Sequence, residues 1–412
     1  MSSAPLHASR AAVHLGQRCA LDLCTSWPAV EAEHTNAMVM DLFNERREIT
    51  SLAVIDNERP IGLINRDIFL SQMSKPYHRE VYDRKSCIAF MDKEPLVVDA
   101  GLSIEELTRR TVEVGEKALA DGFIVTREGR FAGLGLGVQL MRIVADLQAE
   151  KNRQIMHSIE YASVIQRAML RSSREALAVM ERDATLVWQP RDVVGGDFYH
   201  FAQYEDGWFG ALADCTGHGV PGAFMTMIAS SSLTQALQQR GPRDPSALLA
   251  AVNASVKAML GQSGDLSESN DGLDIACFWV DRREHTLTYA GARLALQVLP
   301  PDETTAVTLT PLRIGLGYAD SPVDQHWPAT TLTLQPGSLL FATTDGLIDQ
   351  IGGPRRTSFG KRRALTRLAE SRHLPTAEFC RQLSDDLATW QGDELRRDDL
   401  TFFCIKVASL TC

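Results

Sequence analysis

Four aspartates occur in order at sharp chain reversals, each beside an apolar run. Asp197 lies in Gly195-Gly196-Asp197-Phe198-Tyr199, and Asp214 in Ala213-Asp214-Cys215-Thr216-Gly217-His218-Gly219. Asp345 follows in Thr343-Thr344-Asp345-Gly346-Leu347, and Asp398 in Arg397-Asp398-Asp399-Leu400-Thr401. Carboxylates at strand ends next to glycine can converge when a divalent cation neutralises them. Oxygen ligands without an accompanying His or Cys set favour Mg²⁺ or Mn²⁺ over Zn²⁺. Two such ions held close together activate water against a phosphate ester. Metal-dependent phosphate-ester hydrolysis is therefore the chemistry to expect.

The elements that must position these groups follow from the apolar pattern. Asp214 best suits a bridging role, because it ends the apolar strand Phe209–Ala213. Gly217 and Gly219 then flank a tight turn towards a helix expected over Ala223–Gln239. Asp345 ends a strand over 338–343, and Asp398 stands just before one over 400–407. Further strands are expected at 185–188, 198–203, 208–213, 275–280, 286–290 and 294–299, and helices at 245–260, 361–370 and 376–390. Many hairpin-linked strands with a few long helices imply two sheets with helices outside. A polar insert, Gly-Gln-Ser-Gly followed by Asp265–Asn270, lies near where a substrate would enter.

Weaker candidates have plainer readings beside them. His218 suits a turn better than an acid for the leaving group, and Arg191 is as readily a surface arginine as a phosphate ligand. Asp274 is either a supporting or third-metal group or an edge residue. Each aspartate alone is an ordinary turn former; four in order with matching glycines are not. Gly360-Lys361 lacks the phosphate-loop spacing, Gly133–Gly137 is not a dinucleotide fingerprint, and neither His-Glu-x-x-His nor Gly-x-Ser-x-Gly occurs.

At 412 residues the chain exceeds one average core, so two domains are expected. Its net charge of -10 argues against a general nucleic-acid or anionic-membrane binder. Eight cysteines are scattered without a Cys-x-x-Cys pair, as in a cytoplasmic protein with reduced thiols. No secretory leader pattern and no apolar run long enough to span a bilayer is visible.

Residues 1–17 read as a flexible tail, and 18–137 as two similar units. The first runs helix (37–44), strand (51–55), polar turn, strand (60–64), helix. The second repeats it as helix (103–119), strand (122–126), polar turn, strand (130–136), helix. Residues 138–171 form a helical linker with an apolar stripe at Leu140, Val144, Leu147, Ile155, Ile159, Ala162, Ile165 and Met169, broken by Lys151-Asn152-Arg153-Gln154. Such a stripe with a phase break suits a switchable, dimerising coiled coil. The phosphatase-like remainder spans 172–412.

The order of elements in 18–137 resembles a tandem CBS pair, a small α/β module that senses adenine nucleotides. Gly62-Leu63-Ile64-Asn65-Arg66-Asp67 departs from its nucleotide-binding pattern by one residue and by Asn for Thr, and Gln139 replaces the ribose-holding Asp. The four ordered motifs, with Val220-Pro221-Gly222-Ala223, resemble the PPM-type metal-dependent protein phosphatases, specifically the SpoIIE/RsbU-like branch, over about residues 160–410. That resemblance implies an α+β chain whose C-terminal domain is a β-sandwich flanked by helices. It implies hydrolysis of phosphoserine or phosphothreonine with two Mn²⁺ or Mg²⁺ ions. Asp214 would bridge them, the Cys215 carbonyl would join one shell, Asp345 and Asp398 would complete the other, and Asp197 would contribute directly or through water. Asp399 would support the turn. The implied partner is a small phosphorylated regulator, STAS-like or of the anti-sigma-antagonist type. The alternative is a catalytically silent scaffold that binds a phosphoprotein.

Overall fold

A computed structural model describes residues 18–262 and 269–408. The expected tail 1–17 and most of the polar insert lie outside the described residues. The chain divides into two compact units, 1–156 and 157–412, at a point inside one long helix, Gly137–Met180.

The first unit contains the expected repeat. Strands Ser51–Asp56 and Arg59–Asn65 form one hairpin, and Phe123–Arg127 and Arg130–Gly135 form the other. Each has a bulge at the equivalent place, after Val54 and after Val125, and each first strand also pairs in parallel with a preceding short strand. The turn residues Asn57, Glu58 and Glu128 hold positive φ, which polar turn residues tolerate better than branched ones. Ala53 and Leu63 of one hairpin pack with Ile124 and Leu134 of the other, closing a small shared core. The helix expected over 103–119 is two helices, Ile104–Val114 and Glu116–Asp121. Gly115, at φ 88°, breaks it in a conformation that favours glycine.

In the second unit two five-stranded antiparallel sheets face each other. One has the order Thr330–Thr333, Thr286–Ala292, Leu273–Asp281, Gly207–Cys215, Asp197–Gln203. The other has the order Val307–Leu309, Leu296–Leu299, Leu339–Thr343, Leu400–Lys406, Asp183–Gln189. Phe403 of the second sheet meets Phe201 and Phe278 of the first, with ring centroids 5.5 and 5.8 Å apart. Helices Gly219–Arg240 and Pro245–Met259 cover the first sheet, and Lys361–Glu370 and Thr376–Gln391 cover the second. Strands covered on both faces should be apolar throughout rather than alternating. Gly207–Cys215 is buried at every position except Asp214.

Three local expectations change. The helix over 219–240 begins four residues earlier than expected, directly after the Gly217 turn. The strand expected from Leu294 begins at Leu296, because Arg293 adopts φ 57°. The long helix continues past 171 to Met180. The apolar stripe read from sequence holds in its first part, where Leu140 is buried and Val144 and Leu147 pack against a core, but a different face is buried after residue 157. Ser163, Gln166, Leu170, Ser173, Leu177 and Met180 are buried, at alternating three- and four-residue steps, whereas Ile155 and Ile165 are exposed.

Candidate active site

Strand register does the first part of the assembly. Asp214 is directly opposite Asp197 on one neighbouring strand and Asp274 on the other. Residues in register on adjacent strands share a face, so three carboxylates form a row across the end of the first sheet. Asp274 therefore sits on an interior strand, not at an edge.

The second sheet brings the other acids. Thr344 follows the strand Leu339–Thr343; its N–H donates to the Thr401 carbonyl and its hydroxyl to Asp197 Oδ2 at 2.8 Å. Asp345 comes next, and Gly346 lets the backbones touch: a Cβ there would lie 1.9 Å from the Asp399 carbonyl oxygen. Asp398 and Asp399 immediately precede Leu400–Lys406.

Asp399 organises a loop. Its carboxylate accepts the N–H groups of Arg191 and Gly196, both at 2.6 Å. The Gly195-Gly196 turn that aims Asp197 is gripped twice more. Gln166 of the long helix donates to the Gly195 carbonyl at 2.7 Å and accepts its N–H at 3.2 Å, and the Thr226 hydroxyl donates to both glycine carbonyls. His218 pairs with Asp192 at 2.8 Å on the surface, as a turn residue would, and the Arg191 guanidinium donates to the Arg397 carbonyl.

The electrostatics show what the acids lack. Burial, then Asp197, Asp345, Asp398 and Asp274, hold the Asp214 carboxyl well above the usual range. Burial also raises Asp197 strongly, reinforced by Asp399 and Asp345 and opposed by Thr344. Burial and Asp398 raise Asp345. Burial takes Asp274 to about 6 despite Arg293, whose guanidinium is 3.6 Å from an Asp274 oxygen that has no hydrogen-bond partner. Like charges gathered in a poorly hydrated place are relieved either by protons or by a bound cation.

The oxygen groups gathered here are carboxylates, with the backbone of Cys215 ending the strand that carries Asp214. The Cys215 thiol is buried and its pKa is raised, so it offers no thiolate. That donor set fits Mg²⁺ or Mn²⁺. Among the described residues no group of three or more His, Cys, Asp or Glu side chains forms a ready-made ion cage. Mg²⁺ is commonly held by only one or two carboxylates with waters completing its shell, so paired acids rather than a closed cage suffice.

Beside the row is a cavity of about 420 Å³ lined by Asp214, Asp274, Asp345, Arg293, Thr343 and Lys361, among others. Arg293 and Lys361 place two cations opposite three acids. Arg293 did not stand out in the sequence, and Lys361 did so only in Gly360-Lys361, which lacks the phosphate-loop spacing. Arg293 is aimed there from a left-handed position between two sheets, and its guanidinium lies 4.9 Å from the Tyr318 ring centroid. Its only local signal is Gly291-Ala292 before it, where a strand ends. A larger concavity of about 820 Å³ near Trp390 contains none of the clustered acids.

Residues 204–408 match the sequence profile of the family described as Stage II sporulation protein E (SpoIIE). Among solved structures the chain is similar to the SiaA PP2C domain of Pseudomonas aeruginosa, at 35% identity and a TM-score of 0.57. That match covers 63% of this chain and 99% of the other. It is also similar to the RsbU and RsbW domains of a Mycobacterium tuberculosis protein (20% identity, TM-score 0.45, 56% of this chain and 61% of that one). The PP2C domain with a regulatory fragment of SpoIIE from Bacillus subtilis follows (13%, 0.44, 55% and 63%). No curated protein matches.

Proposed function

Because this chain belongs to the SpoIIE family of PP2C-type protein phosphatases, we propose that it hydrolyses phosphoserine or phosphothreonine on a small regulatory protein, with water as the nucleophile. The observation that carries this is the row Asp197, Asp214, Asp274, closed from the second sheet by Asp345 and Asp398. Two Mg²⁺ or Mn²⁺ ions bound there would supply charge neutralisation and water of lowered pKa. Asp214, central in the row, would touch both; the Cys215 carbonyl, Asp197, Asp345 and Asp398 would complete their shells. Thr344 holds the Asp197 carboxylate in orientation. Arg293 and Lys361 take phosphoryl oxygens in the cavity, Arg293 turning from Asp274 to do so. The cavity is open enough for a side-chain phosphate, and its partner would be a STAS-like or anti-sigma-antagonist protein.

Regulation enters through the first unit, read as a CBS-like sensor with an adenine nucleotide as candidate ligand. The Gly137–Met180 helix grips Gly195 through Gln166, so a shift of that helix would displace Asp197. Exposed Ile155, Tyr161, Val164 and Ile165 on the same helix support pairing with a second copy. Sedimentation as a fully active monomer would remove the dimer.

Mn²⁺-dependent hydrolysis of p-nitrophenyl phosphate and of a phosphothreonine peptide tests the activity, with Asp345→Asn as control. Turnover lost in the variant and on chelation supports it. One alternative is a catalytically silent scaffold that binds a phosphoprotein. No turnover by the folded chain, with phosphopeptide binding retained, would establish that instead.

A further inference from the structure

A third concavity, of about 590 Å³, lies beside the loops of the acid cluster and has the opposite charge. Arg191, Arg356, Arg396 and Arg397 line it, with Leu395 and a single acid, Glu394. Glu394 is engaged with Arg356 at 2.8 Å. Arg191, Arg396 and Arg397 have no carboxylate ion-pair partner among the described residues; their contacts are to a backbone carbonyl and to Gln189. In a chain of net charge -10, three guanidinium groups gathered without a carboxylate in ion-pair contact run against the general charge, Asp399 acting on Arg396 only at longer range. The groove also borders the loops that carry the acids. Arg397 directly precedes Asp398, and the Arg191 N–H is one of the two that Asp399 accepts.

Leu395 adds an independent observation. Its side chain is 86% exposed, the highest value of any large apolar residue among those described. A bulky apolar side chain left bare inside a ring of arginines has the composition of an interface centre, where apolar and Arg residues anchor and charge sets the partner. No aromatic side chain lines the groove, so it offers no stacking platform for single-stranded nucleic acid. Guanidinium forks match carboxylates in pairs.

We propose that this groove docks an acidic polypeptide segment of the phosphoprotein substrate, with Leu395 packing on it, while the phosphorylated residue reaches the acid row. The proposal rests on the phosphatase reading for its orientation but not for its binding chemistry.

The test separates the two. Two labelled phosphothreonine peptides, identical except for Glu or Lys at the flanking positions, are titrated with the full chain by fluorescence anisotropy in chelator. Turnover of p-nitrophenyl phosphate with Mn²⁺ is measured separately. The Glu peptide should bind about tenfold or more tightly, with the advantage shrinking at high salt. Leu395→Ala, which removes no packing inside the fold, should weaken it about fivefold, and Arg396→Gln with Arg397→Gln about tenfold. Should the double variant misfold, Leu395→Ala and the salt dependence decide. Equal binding of the two peptides overturns the proposal, as does tighter binding of a single-stranded oligonucleotide or indifference to Leu395→Ala. Preference for the Glu peptide without any turnover would leave the docking intact and remove the phosphatase activity.

Discussion

Two glycines in the second unit offer a matched pair of perturbations. A Cβ on Gly346 would lie 1.9 Å from the Asp399 carbonyl oxygen, and one on Gly352 would lie 1.9 Å from the Trp390 carbonyl oxygen. Neither glycine has a positive φ, so alanine brings overlap without backbone strain. Relieving the overlap needs a backbone displacement of about 1.5 Å, and overpacking of this kind costs about 1–3 kcal/mol. For a unit of this size that lowers Tm by roughly 2–12 °C in either variant. Their consequences for chemistry should diverge. Gly346 separates the loop of Asp345 from the loop of Asp398, whereas Gly352 abuts the helix Thr376–Gln391 away from the acids. A misplacement near 1 Å in a reacting constellation costs on the order of 100-fold. Gly346→Ala should therefore lose about two orders of magnitude in kcat/KM for p-nitrophenyl phosphate at saturating Mn²⁺. Gly352→Ala, assayed well below its Tm, should stay within about threefold of the parent. Equal losses in both, or full activity in Gly346→Ala, would refute the idea that the Asp345–Asp398 contact is catalytically tuned.

Three further outcomes are expected. Asp214→Asn should abolish Mn²⁺-dependent turnover and yet raise the Tm of the metal-free protein by a few degrees, since it removes the most crowded charge in the row; calorimetry in chelator reads this. Asp274 is held at about 6, above the ordinary aspartate value, so the folded state binds the extra proton. Stability from this group is present below pH 4 and lost as pH rises through about 6. The loss is about 1–2 kcal/mol after allowing for screening of a side chain about one-third exposed, and urea melts with and without Mn²⁺ should show it only in the metal-free protein. Gln166→Ala removes two contacts to Gly195 and should cost about 1–3 kcal/mol while raising the Mn²⁺ concentration for half-maximal rate about tenfold. An unchanged Mn²⁺ requirement would confine Gln166 to a packing role.

Most elements of the fold were visible in local chemistry. Apolar runs located the long strands to within a residue or two, and paired polar turns located both hairpins of the first unit. The break at Gly115 was equally local and went unread. The four motif aspartates stand out because glycine, acid and apolar run coincide within a few residues, which is also why family resemblance concentrates there. The buried face of the helix beyond residue 157 was misread for a different reason. Ser163, Gln166 and Ser173 are polar yet buried, and Gln166 is inside because its amide completes the hydrogen bonds of Gly195.

The sequence alone determined which groups are available: hard oxygen donors, tight turns to carry them, and enough apolar surface for two sheets. Only the tertiary structure decided which of those groups meet. Asp274 joins Asp214 through the register of two strands nearly sixty residues apart. Arg293 and Lys361 enter the same cavity from separate segments. Spacing along a chain reports conformations a few residues long. Charge neutralisation, cavity shape and the mutual raising of carboxyl pKa values depend on distances through space, which are set when strands find their register and two sheets close on a common core.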